Sequence, residues 1–101
     1  MLTLDELKVK YRDIEKRMQR IHNLASHFRS YTESLGVAFI LDFNAYQSTV
    51  RKLYETFTTA PSFKSKDFTR YAERWDKELD GWEERYRSTY DRVILSPKRK
   101  N

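Results

Sequence analysis

Cysteine is absent from the 101 residues, so neither a disulfide framework nor a thiolate metal site can form. Glycine and proline occur twice each. That excludes collagen-like and Pro/Gly low-complexity chains and leaves little material for the many tight turns of an all-β domain. A phosphate-cradling glycine loop is excluded for the same reason. Long apolar stretches are missing too. The longest, Val37–Leu41, is far short of a membrane span. The residues after Met1 are Leu-Thr-Leu-Asp-Glu, acidic where a secretory leader is basic. A cytoplasmic protein without a membrane partner is the expectation.

What remains is rich in charge (35%) and in aromatics (15%), and that many rings argue against disorder. The mass of 12.3 kDa is that of one domain. Basic residues outnumber acids 20 to 15, net +5. Residues 1–35 carry +2, 36–61 carry zero and 62–101 carry +3, all of the last matched by Lys98, Arg99 and Lys100. The body of the chain is only mildly basic, less so than a dedicated DNA-binding domain.

Heptad spacing dominates. Leu4, Leu7, Tyr11, Ile14, Met18, Ile21, Ala25 and Phe28 step by 3 and 4, with Leu35 one heptad on. Thr3 and Glu6 form a capping box, and Leu2 and Leu7 have hydrophobic-staple spacing. Gly36 is placed to end this helix in a left-handed conformation. Phe39, Phe43, Tyr46, Val50, Leu53, Phe57 and Ala60 repeat the pattern up to Pro61. Asp42 is a candidate N-cap for this second helix; alternatively the helix starts near Val37, since Phe39 is already in phase, and a short strand at Val37–Leu41 is a third option with no clear partner strand. With Ser65 as cap, Phe68, Ala72, Trp75, Leu79, Trp82, Tyr86, Thr89 and Val93 continue the seam, and Ser96-Pro97 ends it. The expectation is an all-α, single-domain, three-helix antiparallel up-down-up bundle. Its helices span about 4–35, 38–59 and 66–95; the domain covers 1–96, and 97–101 is a basic tail. This architecture is similar to spectrin-type repeats, although the first helix lacks a tryptophan. The capping box directly after Met1 fits a complete small protein. Its size suits an accessory factor of a phage or other mobile element.

Catalytic constellations are sparse. His22 and His27 are five residues apart, about 140° around a helix, so they share no face and make no metal pair. Arg17-Met-Gln-Arg-Ile-His22 resembles the Arg-x4-His element of HEPN-type ribonucleases, and Arg20 with His27 fits a looser spacing. The resemblance implies RNA cleavage at paired sites in a dimer. Met18 departs from the polar residue usual after that arginine. The carboxylates of the third helix, with partners such as Glu73–Lys77 and Glu83–Arg87, describe a solvated face. No enzyme, cofactor or metal is expected.

Two surfaces stand out instead. Lys8, Arg12, Lys16 and Arg20 recur every fourth residue, a stripe about 18 Å long that suits phosphates, flanked by Lys10 and Arg17. Val37, Ile40, Leu41, Val93, Ile94 and Leu95 should meet at one end of the bundle and exceed what a single seam can bury. The off-seam Tyr31, Tyr54, Tyr71 and Tyr90 are free for an interface. The reading is a non-enzymatic regulatory module that binds a protein partner or forms a homodimer through the apolar cluster. Nucleic-acid binding through the stripe is the alternative.

Overall fold

A computed structural model describes residues 1–30, 34–60 and 62–95. They form helices α1 (Leu4–Ala25), α2 (Ser34–Thr59) and α3 (Ser65–Tyr90), packed as an antiparallel three-helix bundle with no strand among the described residues. A 3₁₀ turn (Ser26–Ser30) follows α1, and a π-helical turn (Asp91–Leu95) extends α3. The bundle is a rod of 58 × 19 × 16 Å. Its radius of gyration, 16.3 Å, exceeds the about 12.7 Å of a spherical domain of this length.

α1 begins where expected. Thr3 Oγ1 accepts from the Glu6 N–H at 3.1 Å, and the Glu6 carboxylate accepts from the Thr3 N–H at 3.0 Å. These bonds to the ionised form hold the Glu6 pKa below its ordinary value. The Leu2 N–H donates to Thr69 Oγ1 at 2.7 Å, tying this terminus to α3. The core follows the heptads: Leu7, Ile14, Met18 and Ile21 from α1, Phe39, Phe43, Val50 and Phe57 from α2, and Phe68, Trp75 and Leu79 from α3 are all buried.

Three boundaries differ from the heptad reading. α1 stops at Ala25, ten residues early. Asn23, Ser26, His27 and Ser30 are weak helix formers, and the Ser26 hydroxyl donates to the Asn23 carbonyl at 2.6 Å, tightening the chain into the 3₁₀ turn. The tighter turn still drops Phe28 into the core. α2 starts at Ser34, so Val37–Leu41 is helix rather than strand and Asp42 lies inside it, not at its cap. Leu35 belongs to the first turn of α2 and is half exposed instead of continuing the α1 seam. Gly36 is helical with a negative φ, so it terminates nothing. Its missing side chain lets α2 approach Phe28, whose Cβ lies 3.2 Å from where a Gly36 Cβ would sit. The N-cap position of α3 falls on Lys64, with Ser65 the first helical residue, and Asp67 accepts from the Lys64 N–H at 3.1 Å. The tail at 97–101 lies outside the described residues, as does Tyr31.

Candidate functional site

The apolar end is assembled by Phe28, which packs edge-on to Phe39 at 5.6 Å and against Tyr86 at 5.5 Å. The π-helical turn brings Val93 to the same place, 3.7 Å from the position of a Gly36 Cβ. The two apolar runs therefore meet, but the six residues part company. Val93 is core, 1% exposed. Ile40 and Ile94 are half-buried against the core. Val37, Leu41 and Leu95 remain in solvent at 43%, 64% and 56% exposure.

The outward face of α2 is unusual in charge as well. From Ser34 to Val50 the helix carries one residue that is charged at neutral pH, Asp42. Arg85 Nη2 donates to its Oδ2 at 2.8 Å. The same guanidinium lies over Trp82 at 5.1 Å and over Phe39 at 5.6 Å. Opposite the buried positions Gly36, Phe39, Phe43 and Val50, a second seam faces outward: Ser34, Ala38, Leu41, Ala45 and Ser48, stepping 4, 3, 4, 3. Ala38 is half-buried and the other four are exposed. A heptad search for one core seam per helix passes over it. The run of 17 residues with a single charge was the available signal.

The basic stripe is sorted by α3. Asp76, Asp80 and Glu83 recur at helical spacing on the face that meets α1 and take up the flanking cations. Lys10 Nζ lies 2.6 Å from Asp76. Arg17 donates to Asp76 at 3.3 Å, Asp80 at 2.7 Å and Glu83 at 3.1 Å. Partial burial works against the Arg17 charge, but the bonds to Asp80 and Glu83 outweigh it and raise its pKa. These acids thus bridge two helices rather than lining a merely solvated face, and Arg87 pairs with Glu84 at 3.2 Å, not with Glu83. Lys8, Arg12, Lys16 and Arg20 are exposed, and none forms an ion pair among the described residues.

On the other flank, Arg12 and Lys16 meet Arg51 of α2. With Glu15 and Gln19 they line a shallow recess of about 390 Å³ between α1 and α2. It runs into a second recess of about 340 Å³ walled by Gln19, His22, Asn44, Gln47, Ser48 and Arg51. Buried Gln47 places Nε2 3.2 Å from His22 Nδ1. Arg51 was not singled out by the sequence, because periodicity within α1 says nothing of what α2 sets beside it.

The ribonuclease-like residues do not converge. Arg17 is engaged by α3 while His22 bonds to Gln47 of α2, and His27 Nδ1 lies 3.2 Å from the Tyr86 hydroxyl. The three off-seam tyrosines among the described residues are drawn into the core rim rather than left free. Tyr54 stacks on Tyr11 at 3.7 Å, Tyr71 packs on Phe57 at 5.1 Å and Tyr90 lies against Tyr86 at 5.9 Å. Among the described residues no group of three His, Asp or Glu is placed to hold a metal ion, and no helix is long and apolar enough to cross a membrane. Comparison of the chain with protein-family models, curated proteins and solved structures finds no match.

Proposed function

We propose that this chain is a non-enzymatic interaction module that pairs with a second copy of itself through the outward face of α2. The observation that carries the reading is the uncharged outer seam around Leu41, flanked by exposed Val37 and by Leu95 at the same end. Leaving such a surface in water has a cost; covering one aliphatic side chain contributes about 1.5–3 kcal/mol.

Two features favour a second copy as the occupant. The seam reads Ser-Ala-Leu-Ala-Ser and is palindromic in size about Leu41. A two-fold axis through Leu41 sets α2 antiparallel to its copy, with Ser34 beside Ser48, Ala38 beside Ala45 and Leu41 on Leu41. Such a self-complementary patch is what an isologous contact requires. Small residues on both sides of the central leucine permit close helix approach. Charge points the same way. Two copies of a +5 chain repel, and this face lets them meet without opposing like charges, since its one acid is already bound by Arg85.

Sedimentation equilibrium of wild type and Leu41→Asp tests the reading. The side chain at 41 is exposed, so the variant keeps its helical circular dichroism. Wild type should sediment as twice the 12.3 kDa chain mass and the variant as a monomer. A wild type that stays monomeric at millimolar concentration, or a Leu41→Asp variant that dimerises unchanged, overturns it.

A further inference from the structure

We infer that the groove between α1 and α2 is a binding site for a nucleic-acid backbone, with Arg12, Lys16 and Arg51 as its phosphate contacts. The inference does not rest on self-association, and of the residues that carry it only Ser48 also lies on the outward seam of α2.

The first argument is electrostatic. Six cations lie on α1, and α3 divides them. Lys10 and Arg17 are held by Asp76, Asp80 and Glu83 on one flank. The four that remain, Lys8, Arg12, Lys16 and Arg20, are exposed without ion-pair partners among the described residues. Arg51, supplied by α2, adds a fifth cation beside Arg12 and Lys16. Glu15 is the one carboxylate among the residues lining the recess and is outnumbered three to one. Three acids, Asp76, Asp80 and Glu83, thus lie on the other flank of α1, and in the recess cations exceed carboxylates by two.

The second argument is chemical. Beyond the cations the groove continues between hydrogen-bonding side chains: Gln19, His22, Asn44 and Ser48. Amides, an imidazole N–H and a hydroxyl donate to phosphate and sugar oxygens, the contacts that position a protein on a strand without reading its sequence.

Spacing decides between ligands. Lys8, Arg12 and Lys16 recur about every 6 Å over about 12 Å, while Arg20, one step on, lines a recess with Glu83 and Arg87 of α3. A regular ladder suits a polymer whose charge is regular, with one phosphate for each about 3.4 Å of axis per strand. An acidic peptide carries charge only where its sequence puts it. A membrane surface would call for apolar side chains beside the cations to enter the interface, and those lining both recesses are polar or charged.

The test is fluorescence anisotropy with three probes: a labelled single-stranded RNA of about 20 nucleotides, a DNA duplex of equal length, and phosphatidylserine-containing vesicles. Contact of Arg12, Lys16 and Arg51 with three phosphates gives a slope of log K against log salt of about −2.7 on the duplex, or about 40-fold weakening between about 50 and 200 mM salt. The Arg12→Gln, Lys16→Gln, Arg51→Gln triple variant should keep its circular dichroism and bring the slope to near zero, less than about twofold weakening over that range. A control, Lys66→Gln, Arg70→Gln, Lys77→Gln, removes the same charge from α3 and should keep the wild-type slope. Preference for RNA over duplex, or the reverse, identifies the source of the backbone. Equal losses in both triple variants, binding to vesicles alone, or no binding to either nucleic acid at about 50 mM salt overturns the inference.

Discussion

Substituting alanine for each glycine tests the packing of the bundle from both sides, because the two glycines sit in helices for opposite reasons. At Gly81, in the middle of α3, an added Cβ would meet nothing within 4 Å. Alanine there loses less backbone entropy than glycine, so Gly81→Ala should stabilise by about 1 kcal/mol. At about 2.1 cal/mol/K per residue the 101-residue chain has an unfolding entropy of about 0.21 kcal/mol/K, so the melting temperature should rise by about 5 °C. At Gly36 the same helical gain is opposed. A Cβ would lie 3.2 Å from Phe28 Cβ, 3.5 Å from Phe28 Cγ and 3.7 Å from Val93 Cγ2. Phe28 is fully buried and held between Phe39 and Tyr86, so it has little room to yield. Overpacking of a tight core costs about 1–3 kcal/mol, which makes Gly36→Ala neutral to destabilising by about 2 kcal/mol. Thermal melts followed by far-ultraviolet circular dichroism read both. If Gly36→Ala stabilises as much as Gly81→Ala, Phe28 does not pack over the first turns of α2, and the reasoning about how α1 ends is refuted.

Three further expectations concern the core and its rim. Trp75, 2% exposed at the centre of the aromatic packing, should cost about 3–5 kcal/mol on replacement by alanine, while half-buried Trp82 should cost less; urea titrations that rank them the other way contradict the assigned faces. Arg17→Met should destabilise by about 1–2 kcal/mol, since three carboxylates lose a common partner that is itself partly solvated, and denaturation showing no change would mean that the bridge between α1 and α3 is inert. Tyr11, Tyr46, Tyr54 and Tyr86 have raised phenol pKa values, chiefly through burial, with Glu78 adding at Tyr46, whose hydroxyl donates to it at 3.2 Å. The neutral phenol is the folded form, so the associated stability is complete below the unfolded value of about 10 and is lost as pH rises through the raised values. Tyrosinate absorbance should therefore show at least these four of the seven tyrosines lagging, and a single uniform transition at about pH 10 would contradict it.

Periodicity carried most of the fold. The seams from Leu7 to Phe28, Phe39 to Phe57 and Phe68 to Val93 are the core, because burying one stripe per helix is the only way three amphipathic helices can exclude water. The errors lie where a local rule competed with tertiary packing. Gly36 reads as a helix end from its neighbours, yet a close approach by Phe28 is what a glycine serves there, and that approach is visible only in three dimensions. Leu35 kept heptad phase with α1 by coincidence and took its place in α2. The surfaces were legible as composition but not as geometry. Lys8, Arg12, Lys16 and Arg20 could be read as one stripe, whereas the removal of Lys10 and Arg17 by α3 and the arrival of Arg51 from α2 depend on which helices meet. Val93 and Leu41 looked alike, each in its own apolar run; the face that each presents makes the first core and the second solvent.

Cysteine cross-linking tests self-pairing most directly, because the chain has no cysteine of its own. Single variants Ser34→Cys, Leu41→Cys and Ser48→Cys are exposed sites that leave the core untouched. Under mild oxidation at micromolar protein, Leu41→Cys should form a disulfide-linked dimer. A mixture of Ser34→Cys with Ser48→Cys should cross-link mainly between unlike chains, since an antiparallel pair about Leu41 puts position 34 beside position 48. A disulfide needs Cα atoms within about 7 Å, so cross-linking reports register as well as association. Preferential linking of Ser34→Cys to itself, or no faster linking at Leu41→Cys than at an exposed cysteine elsewhere such as Glu73→Cys, would contradict the account.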